Sequence, residues 1–255
     1  MSDKLESIPL PEPQLDLIEN FPAWEKATDL LKQQILSNNF KKVADVGGGA
    51  NPLLDYEFIR GNNIDYALLD ISEVELSKAP AYYRKIKVDM TTPPKAFSKC
   101  VGVEQFDLIF SHMFLEHAKD PLAMHRNIHS ILRPGGVAIH IYPTPNNLPL
   151  TINRLLPEQI TSALVSFAQP LRDRDGSQVK FPAFYAMCGH PTEGLHSKFR
   201  DLGFNVVRHT SYIGHDYYRR FPVIRNIERS LRPILLKAKI PLAGNSLLVL
   251  QKQLV

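Results

Sequence analysis

The stretch VADVGGGANP, residues 43–52, interrupts a short apolar run with three consecutive glycines. In an open α/β sheet the first strand-to-helix turn is glycine-rich, because the backbone there approaches a bound ligand closely. Glycines also serve tight turns for purely steric reasons, so the triplet alone is weak evidence for a binding site. The residues on either side of the triplet decide what it binds.

Acidic residues accompany the triplet at the ends of successive strand-like runs. Asp45 lies two positions before the first glycine, Asp70 ends the next run, and Asp89 ends the one after that. An acid that ends the second strand is suited to bidentate hydrogen bonding of a ribose diol. Three acids at three successive strand ends are hard to explain by packing, so this pattern predicts a nucleotide-like ligand.

Strand-like and helix-like segments alternate through the chain, which favours an α/β protein with a mostly parallel sheet covered on both faces. An amphipathic helix is predicted over residues 22–37, before the first strand. The predicted strands are VADV (43–46), DYALLD (65–70), RKIKVD (84–89), FDLIFSHM (106–113), VAIHIYP (137–143), NVVRHTSYI (205–213) and SLLVLQKQ (246–253).

The length of 255 residues and the 44% hydrophobic content suit one domain with insertions. We predict an N-terminal arm and helix over 1–40 and the main domain over 41–255. Within that domain a partly helical cap is predicted at about 144–191 and a basic helical insertion at about 214–243. No apolar run approaches the roughly 20 residues that span a bilayer.

The two cysteines, Cys100 and Cys188, are far apart and neither has a metal-ligand spacing. This pattern favours a reducing cytoplasm and gives no indication of a metal site.

A dinucleotide is a poor match to the glycine turn. The G-x-G-x-x-G spacing would place its third glycine at Pro52. An acid within the turn would also lie unfavourably beside a pyrophosphate. A cationic ligand without phosphate fits better, and the sulfonium compound S-adenosylmethionine is such a ligand.

VADVGGGAN resembles the first motif of class I S-adenosylmethionine-dependent methyltransferases, with Asp45, Gly47 and Gly49 matching and Asn51 replacing the usual third glycine. The segment FDLIFSHMFLEHAKDPLAMHRNIHSILRPGGVAIH, residues 106–140, resembles the ubiquinone-biosynthesis-like branch, methyltransferase type 11. The resemblance implies a Rossmann-like, seven-stranded, mostly parallel sheet whose last strand is antiparallel, with helices on both faces and an inserted cap.

The same resemblance implies where the methionine part of the cofactor lies. Gly47 and Gly49 would let the chain pass close to it. Asp45 would steady its ammonium group, directly or through water. Ser111 would line the pocket from the end of the fourth strand.

The remaining implied contacts concern the adenosine part of the cofactor. Asp70 would take the ribose hydroxyls. Asp89 would contact the adenine amine, while Met90 would pack on the adenine ring.

The methyl acceptor is less well defined by the sequence. The cap resembles an insert of bacterial methyltransferases from polysaccharide and glycoconjugate pathways, which implies O-methylation of a glycan precursor or another small metabolite. An alcohol acceptor needs a base, and His112 and His117 are the candidates; His140 is expected to be a bonded core residue. The alternatives are a C-methyltransferase acting on a quinone or lipid, and a non-catalytic partner subunit.

Residues 214–240 hold seven Lys or Arg residues against two acids. Four aliphatic residues fall on one helical side: Ile224, Ile227, Leu231 and Leu235. Three arginines, Arg225, Arg229 and Arg232, fall on another, and Pro233 is expected to end or kink the helix. The basic face is either solvated or meets a charged substrate or an anionic membrane, the membrane contact running through 217–240. No nucleic-acid partner is expected, since the rest of the chain is near neutral. The predicted location is cytoplasmic, with peripheral membrane association as an option.

Overall fold

The computed structural model describes residues 14–16, 26–145, 182–215 and 221–254. Most of the predicted cap, residues 146–181 including Phe181, lies outside the described residues. Residues 217–220 of the predicted membrane segment lie outside them as well. In the part of the chain that the structure describes, no helix combines the length and the apolar character needed to cross a bilayer.

Eight strands form one sheet in the order β1-β7-β8-β6-β5-β2-β3-β4. Every neighbouring pair is parallel except those that involve β8, which runs antiparallel to both β6 and β7. The strands are β1 (Gln14–Asp16), β2 (Lys42–Val46), β3 (Asp65–Asp70), β4 (Arg84–Lys87), β5 (Phe106–His112), β6 (Leu132–Pro143), β7 (Phe204–Tyr212) and β8 (Asn245–Lys252).

Seven of these strands confirm the predicted sheet with its antiparallel last strand. The additional strand, β1, falls in the predicted N-terminal arm and pairs with β7, so β1 forms one edge of the sheet. Strand β4 ends at Lys87, so Asp89 lies in the following loop rather than at the strand end. Strand β6 begins earlier than predicted, at Leu132, with a register shift against β5 near Leu108.

Helices cover both faces of the sheet, which confirms the predicted layers. Helices α4, α5 and α6 bury Phe97, Met124 and Phe199 in the core on one face. Helices α1 and α3 bury Leu31 and Leu76 on the other. The helices are α1 (Ala27–Asn38), α2 (Tyr56–Gly61), α3 (Glu73–Lys78), α4 (Pro94–Val101), α5 (Pro121–Ile131), α6 (Glu193–Asp201) and α7 (Pro222–Lys237), with a 3₁₀ turn at Leu115–His117.

The sheet order places a topological switch between β2 and β5. From β2 the chain builds outward through β3 and β4, and it then returns to place β5 on the other side of β2. In open α/β sheets ligands bind beyond the carboxyl ends of the strands at such a switch. This edge of the sheet is therefore the expected location of the site.

Candidate cofactor and acceptor site

A cavity of about 430 Å³ lies at the carboxyl ends of β2 to β5. Five residues predicted from the sequence line it: Gly47, Asp70, Asp89, Met90 and His117. The other four predicted residues are not among its described lining: Asp45, Gly49, Ser111 and His112. The fold thus brings together residues from several strand ends that are far apart in the chain.

The glycine turn after β2 holds the backbone in a conformation that side chains disfavour. Gly47 has φ +78° and its N–H donates to Leu69 O at 2.8 Å. A Cβ at Gly47 would lie 2.4 Å from Cδ2 of Phe114, and one at Gly49 would lie 2.8 Å from Oδ2 of Asp70. The glycines therefore let the Phe114 ring and the Asp70 carboxylate approach the turn. Phe114 also lines the cavity, and no sequence signal marks it as the residue that packs on Gly47.

Asp70 ends β3 and presents its carboxylate to the cavity. Its Oδ1 accepts a hydrogen bond from Ser72 N at 2.8 Å, which fixes the side chain at the start of the α3 turn. Partial burial raises the pKa of Asp70, with the nearby Glu75 carboxylate acting in the same direction. A carboxylate held in this way suits a pair of neighbouring hydroxyl donors.

Asp89 and Met90 also line the cavity, from the loop after β4. Asp89 Oδ1 accepts hydrogen bonds from the N–H and the Oγ1 hydroxyl of Thr91. Met90 is buried, and its carbonyl oxygen accepts from Asn127 Nδ2 at 2.8 Å. The loop is thereby tied to helix α5, so an acceptor oxygen and a flat thioether surface lie next to each other.

Asp45 lies beneath the glycine turn rather than in the cavity wall. The residue is 2% exposed, and a Cβ at Gly48 would meet its carboxylate. Tyr66 donates its hydroxyl proton to Asp45 Oδ2 at 2.5 Å, and Leu53 N donates at 3.3 Å. Burial raises the pKa of Asp45 to about 6, and the Tyr66 hydrogen bond opposes that rise. Tyr66 is a partner that the sequence does not reveal.

Ser111 and His140 form a buried pair between β5 and β6. Ser111 Oγ and His140 Nδ1 lie 2.8 Å apart, and both residues are almost fully buried. Burial lowers the pKa of His140 well below its usual range, so this ring stays neutral. This agrees with the expectation that His140 is a bonded core residue, and it turns Ser111 toward the core.

His117 is the predicted base that reaches the cavity. Its Nδ1 lies 3.0 Å from the carbonyl oxygen of Pro182, and because a carbonyl only accepts, Nδ1 carries the hydrogen. In the neutral ring the lone pair is therefore on Nε2. That atom lies 3.7 Å from Oε1 of Glu116.

Glu116 joins the 3₁₀ turn to residues 184–185, which belong to the described end of the predicted cap. Its backbone oxygen accepts from the N–H groups of Phe184 and Tyr185 at 2.7 and 3.1 Å. Its side chain is buried, which raises the pKa of the carboxyl to about 6. A carboxylate beside His117 would stabilise an imidazolium, so the pair is suited to accept a proton. The sequence L-E-H at residues 115–117, within the segment that carries the family resemblance, is the signal that points to Glu116.

His112 occupies a different place from His117. It is the last residue of β5, paired in register with Ile141 of β6, and it is partly exposed. The two residues after it, Met113 and Phe114, line the cavity instead. The structure therefore separates two histidines that the sequence leaves equivalent.

The charges around the cavity fit a cationic ligand. Two carboxylates, Asp70 and Asp89, stand against the single ammonium of Lys119 among the described lining residues. Residues 26–145, 182–215 and 221–254 contain no group of three or more His, Cys, Asp or Glu side chains arranged to hold a metal ion. A sulfonium nucleoside with an adjacent ribose meets these requirements better than a pyrophosphate does.

Comparison with known proteins gives independent information on the family. The profile of a family described as a methyltransferase domain matches residues 19–209. No curated protein sequence matches the chain significantly.

The solved structures that resemble this fold share little sequence with it. An S-adenosylmethionine-dependent methyltransferase from Archaeoglobus fulgidus is 17% identical with a TM-score of 0.51, over 89% of this chain and 95% of that one. The [4+2]-cyclase SpnF is 17% identical with a TM-score of 0.52, over 91% and 83% of the two chains. The CurJ carbon methyltransferase is 13% identical with a TM-score of 0.52, over 89% and 54%. These likenesses establish the fold, while the family match covers most of the chain. The protein belongs to the class I S-adenosylmethionine-dependent methyltransferases.

Proposed function

We propose that this enzyme transfers the methyl group of S-adenosylmethionine to a hydroxyl oxygen of a glycan precursor or another small metabolite. The observation that carries the proposal is the position of His117 in the wall of the cofactor cavity. Its Nδ1 hydrogen bond to Pro182 directs the basic lone pair to Nε2. An attacking hydroxyl needs such a base, whereas an acceptor without an acidic proton does not.

The cofactor supplies a methyl carbon activated by a neighbouring sulfonium. The residues of the chain do the rest. Asp70 and the Asp89–Met90 loop hold the adenosine part, and the glycine turn admits the methionine part. Transfer to an acceptor oxygen would break the methyl–sulfur bond of the cofactor and release S-adenosylhomocysteine. His117 Nε2 would take the hydroxyl proton, and the Glu116 carboxylate would stabilise the resulting imidazolium. Much of the acceleration comes from holding the acceptor about 3 to 3.5 Å from the methyl carbon.

C-methylation of a quinone or lipid is the second candidate. The exposed aliphatic residues of α7 favour it, because they provide an apolar surface near the carboxyl edge of the sheet. A carbon methyltransferase and a cyclase share this fold, so the architecture does not select the acceptor atom.

The acceptor atom can be read from the product. Purified enzyme is incubated with S-adenosylmethionine carrying a ¹³C-methyl group and with panels of sugar, glycoside and quinone acceptors. An O-methyl carbon resonance in a sugar product supports the proposal. A C-methyl resonance in a quinone product contradicts it. Cofactor binding without turnover on hydroxyl acceptors also counts against it, and in that case the partner-subunit alternative gains weight.

A pH-dependent prediction concerns Asp45. We propose that its charge attracts the cofactor ammonium through the glycine turn. Because the Asp45 pKa is raised to about 6, the carboxyl loses its charge as pH falls through that value. We therefore expect affinity for S-adenosylmethionine to rise between about pH 5 and 7, with proton release on binding. Calorimetry in buffers of different ionisation enthalpy measures both quantities.

Replacing Tyr66 tests the same charge. The Tyr66 hydrogen bond lowers the Asp45 pKa, so Tyr66→Phe should raise that pKa and shift the affinity profile to higher pH. We expect affinity about three- to tenfold weaker near neutral pH, recovering at alkaline pH. Tyr83→Phe is the matched control, because the Tyr83 hydroxyl lies in the same region and donates to Leu54 O rather than to Asp45. A Tyr66→Phe profile identical to that of the wild type would remove Asp45 from the ammonium site.

A further inference from the structure

Helix α7 turns its aliphatic side away from the body of the protein. Five large aliphatic residues are exposed along one face, and we name them the α7 stripe: Val223, Ile224, Ile227, Leu231 and Ile234. Three of them expose well over half of their surface: Val223 at 72%, Ile227 at 59% and Ile234 at 61%. Pro233 lies inside α7, which continues to Lys237, so this proline does not end the helix.

The polar side of α7 faces inward. Its two buried residues are Glu228 and Arg232. Arg232 donates from Nε and one terminal nitrogen to the two carboxylate oxygens of Glu228, both at 2.7 Å. It also donates to the backbone oxygen of His215 at 2.6 Å, and His215 Nε2 lies 3.3 Å from Glu228. This network fixes the rotation of the helix about its axis and thereby holds the α7 stripe on the outer side.

Fewer basic side chains are exposed on α7 than the sequence pattern predicts. Arg225 and Arg229 are only partly exposed, and their Nε atoms are buried. The exposed charged residues among the described residues 221–240 are Lys237 and Lys239, at the end of the segment. Glu228 is the one acid in residues 221–242, and Arg232 neutralises it in the interior. The outer surface of α7 is thus aliphatic, with positive charge and no carboxylate.

The connections of α7 to β7 and β8 show at which edge of the sheet the α7 stripe lies. The helix connects the carboxyl end of β7 to the start of β8, and Tyr212 pairs with Asn245 at that edge. Asn245 also pairs with Pro143 at the end of β6. Strands β2 to β5 end at the same edge of the sheet, where the cofactor cavity lies. The α7 stripe therefore belongs to the active-site edge of the molecule.

We propose that α7 docks this edge onto an anionic membrane surface, with the α7 stripe in the headgroup region and the lysines against lipid phosphates. From Val223 to Ile234 the stripe runs about 16 Å along the helix, too short to span a bilayer and suited to lie in its plane. Exposed lysines beside an aliphatic face match anionic lipid in charge and polarity.

A second copy of this chain fits the stripe less well. A two-fold contact places the same surface of both copies together. The lysines and arginines of the two helices would then approach each other, while the single acid is already neutralised inside each copy. The stripe also lacks the aromatic and methionine side chains that are enriched at the centres of protein interfaces.

The test is cosedimentation of the full-length protein with phosphatidylcholine vesicles, with and without phosphatidylglycerol. We expect binding to the anionic vesicles, and about tenfold or greater weakening by Ile227→Asp or Ile234→Asp. Val103→Asp is the matched control, because Val103 is 56% exposed and lies just before β5 begins, at the opposite edge of the sheet. The double variant Lys237→Glu with Lys239→Glu should weaken binding to anionic vesicles only.

Several results would overturn the proposal. These are wild-type protein that stays in solution with anionic vesicles, stripe variants that still sediment fully, and equal binding to neutral and anionic vesicles. A wild-type dimer that Ile227→Asp converts to a monomer, measured by light scattering, would assign the stripe to a second copy instead. Thermal melting and cofactor titration of each variant verify the fold. The vesicle assay needs neither cofactor nor acceptor, so its outcome is separate from that of the methyl-transfer assays.

Discussion

Replacement of His117 by alanine should lower kcat about a hundredfold while leaving affinity for S-adenosylmethionine nearly unchanged. The side chain lines the cavity, and its Nδ1 is anchored to the Pro182 carbonyl. Removing it takes away the group proposed to receive the acceptor proton, but none of the carboxylates proposed to hold the cofactor. Turnover with a hydroxyl acceptor and calorimetric titration of the cofactor measure the two quantities separately.

His112→Ala is the matched control for that experiment. His112 belongs to the same chain segment but lies outside the described lining of the cavity, so we expect its loss to change kcat only slightly. Equal turnover in His117→Ala and the wild type would mean that positioning alone carries the reaction or that another group is the base. A large loss confined to His112→Ala would reverse the assignment of the two histidines.

The pH dependence of turnover gives an independent measure of the same base. Burial raises the pKa of Glu116 to about 6, so its carboxylate becomes charged as pH rises through that value and can then stabilise the imidazolium. Glu116→Gln keeps the side-chain shape and the backbone acceptor for Phe184 and Tyr185 but loses the charge. We expect kcat to fall about tenfold and its rise with pH near 6 to disappear. An unchanged pH profile would assign Glu116 to structure alone.

Asp70→Ala should weaken cofactor binding at least tenfold, about 1.4 kcal/mol. The Asp70 carboxylate faces the cavity at the end of β3, where it can accept two hydrogen bonds from a ribose diol. Without it, the diol would lose its acceptor in a partly buried site. The same loss is expected for S-adenosylhomocysteine, which keeps the ribose, and calorimetry with both compounds checks this.

Two further variants control for folding. Asp70→Asn keeps an oxygen that can accept from Ser72 N, so it preserves the local turn while removing the charge. Asp65→Ala removes an exposed aspartate at the opposite end of the same strand. We expect Asp65→Ala to bind the cofactor normally. Undiminished affinity in a folded Asp70→Ala protein would show that the ribose lies elsewhere.

The order of strands and helices was accessible from the sequence, because hydrophobic runs, turn residues and motifs are local patterns. Asp70 ends β3 as expected, and the glycine turn follows β2 as expected. Parallel strands end at a common edge, so locating the strand ends also located the cavity. Asp89 was expected at the end of a strand, but β4 ends at Lys87 and Asp89 lies in the loop that follows. The residue nevertheless lines the cavity.

Contacts between distant segments could not be read from the sequence. Tyr66 on β3 donates to Asp45 on the neighbouring β2, and Glu116 accepts a hydrogen bond from Phe184, which belongs to the predicted cap. Such pairs depend on the register of neighbouring strands and on where a later segment of the chain packs, and no short sequence pattern specifies either. For the same reason the sequence left His112 and His117 equivalent, and only the turn after β5 separates them.

A class I methyltransferase fold, a glycine turn and acids near the strand ends could be predicted from the residues alone, because each of these features depends on residues close together in the chain. The residues alone also predict that α7 has an aliphatic side and a basic side. The side that faces the body of the protein is known only from the fold, through the bidentate Arg232–Glu228 pair and its link to His215. Helical periodicity separates the faces of a helix, but the direction in which each face points depends on what packs beneath it.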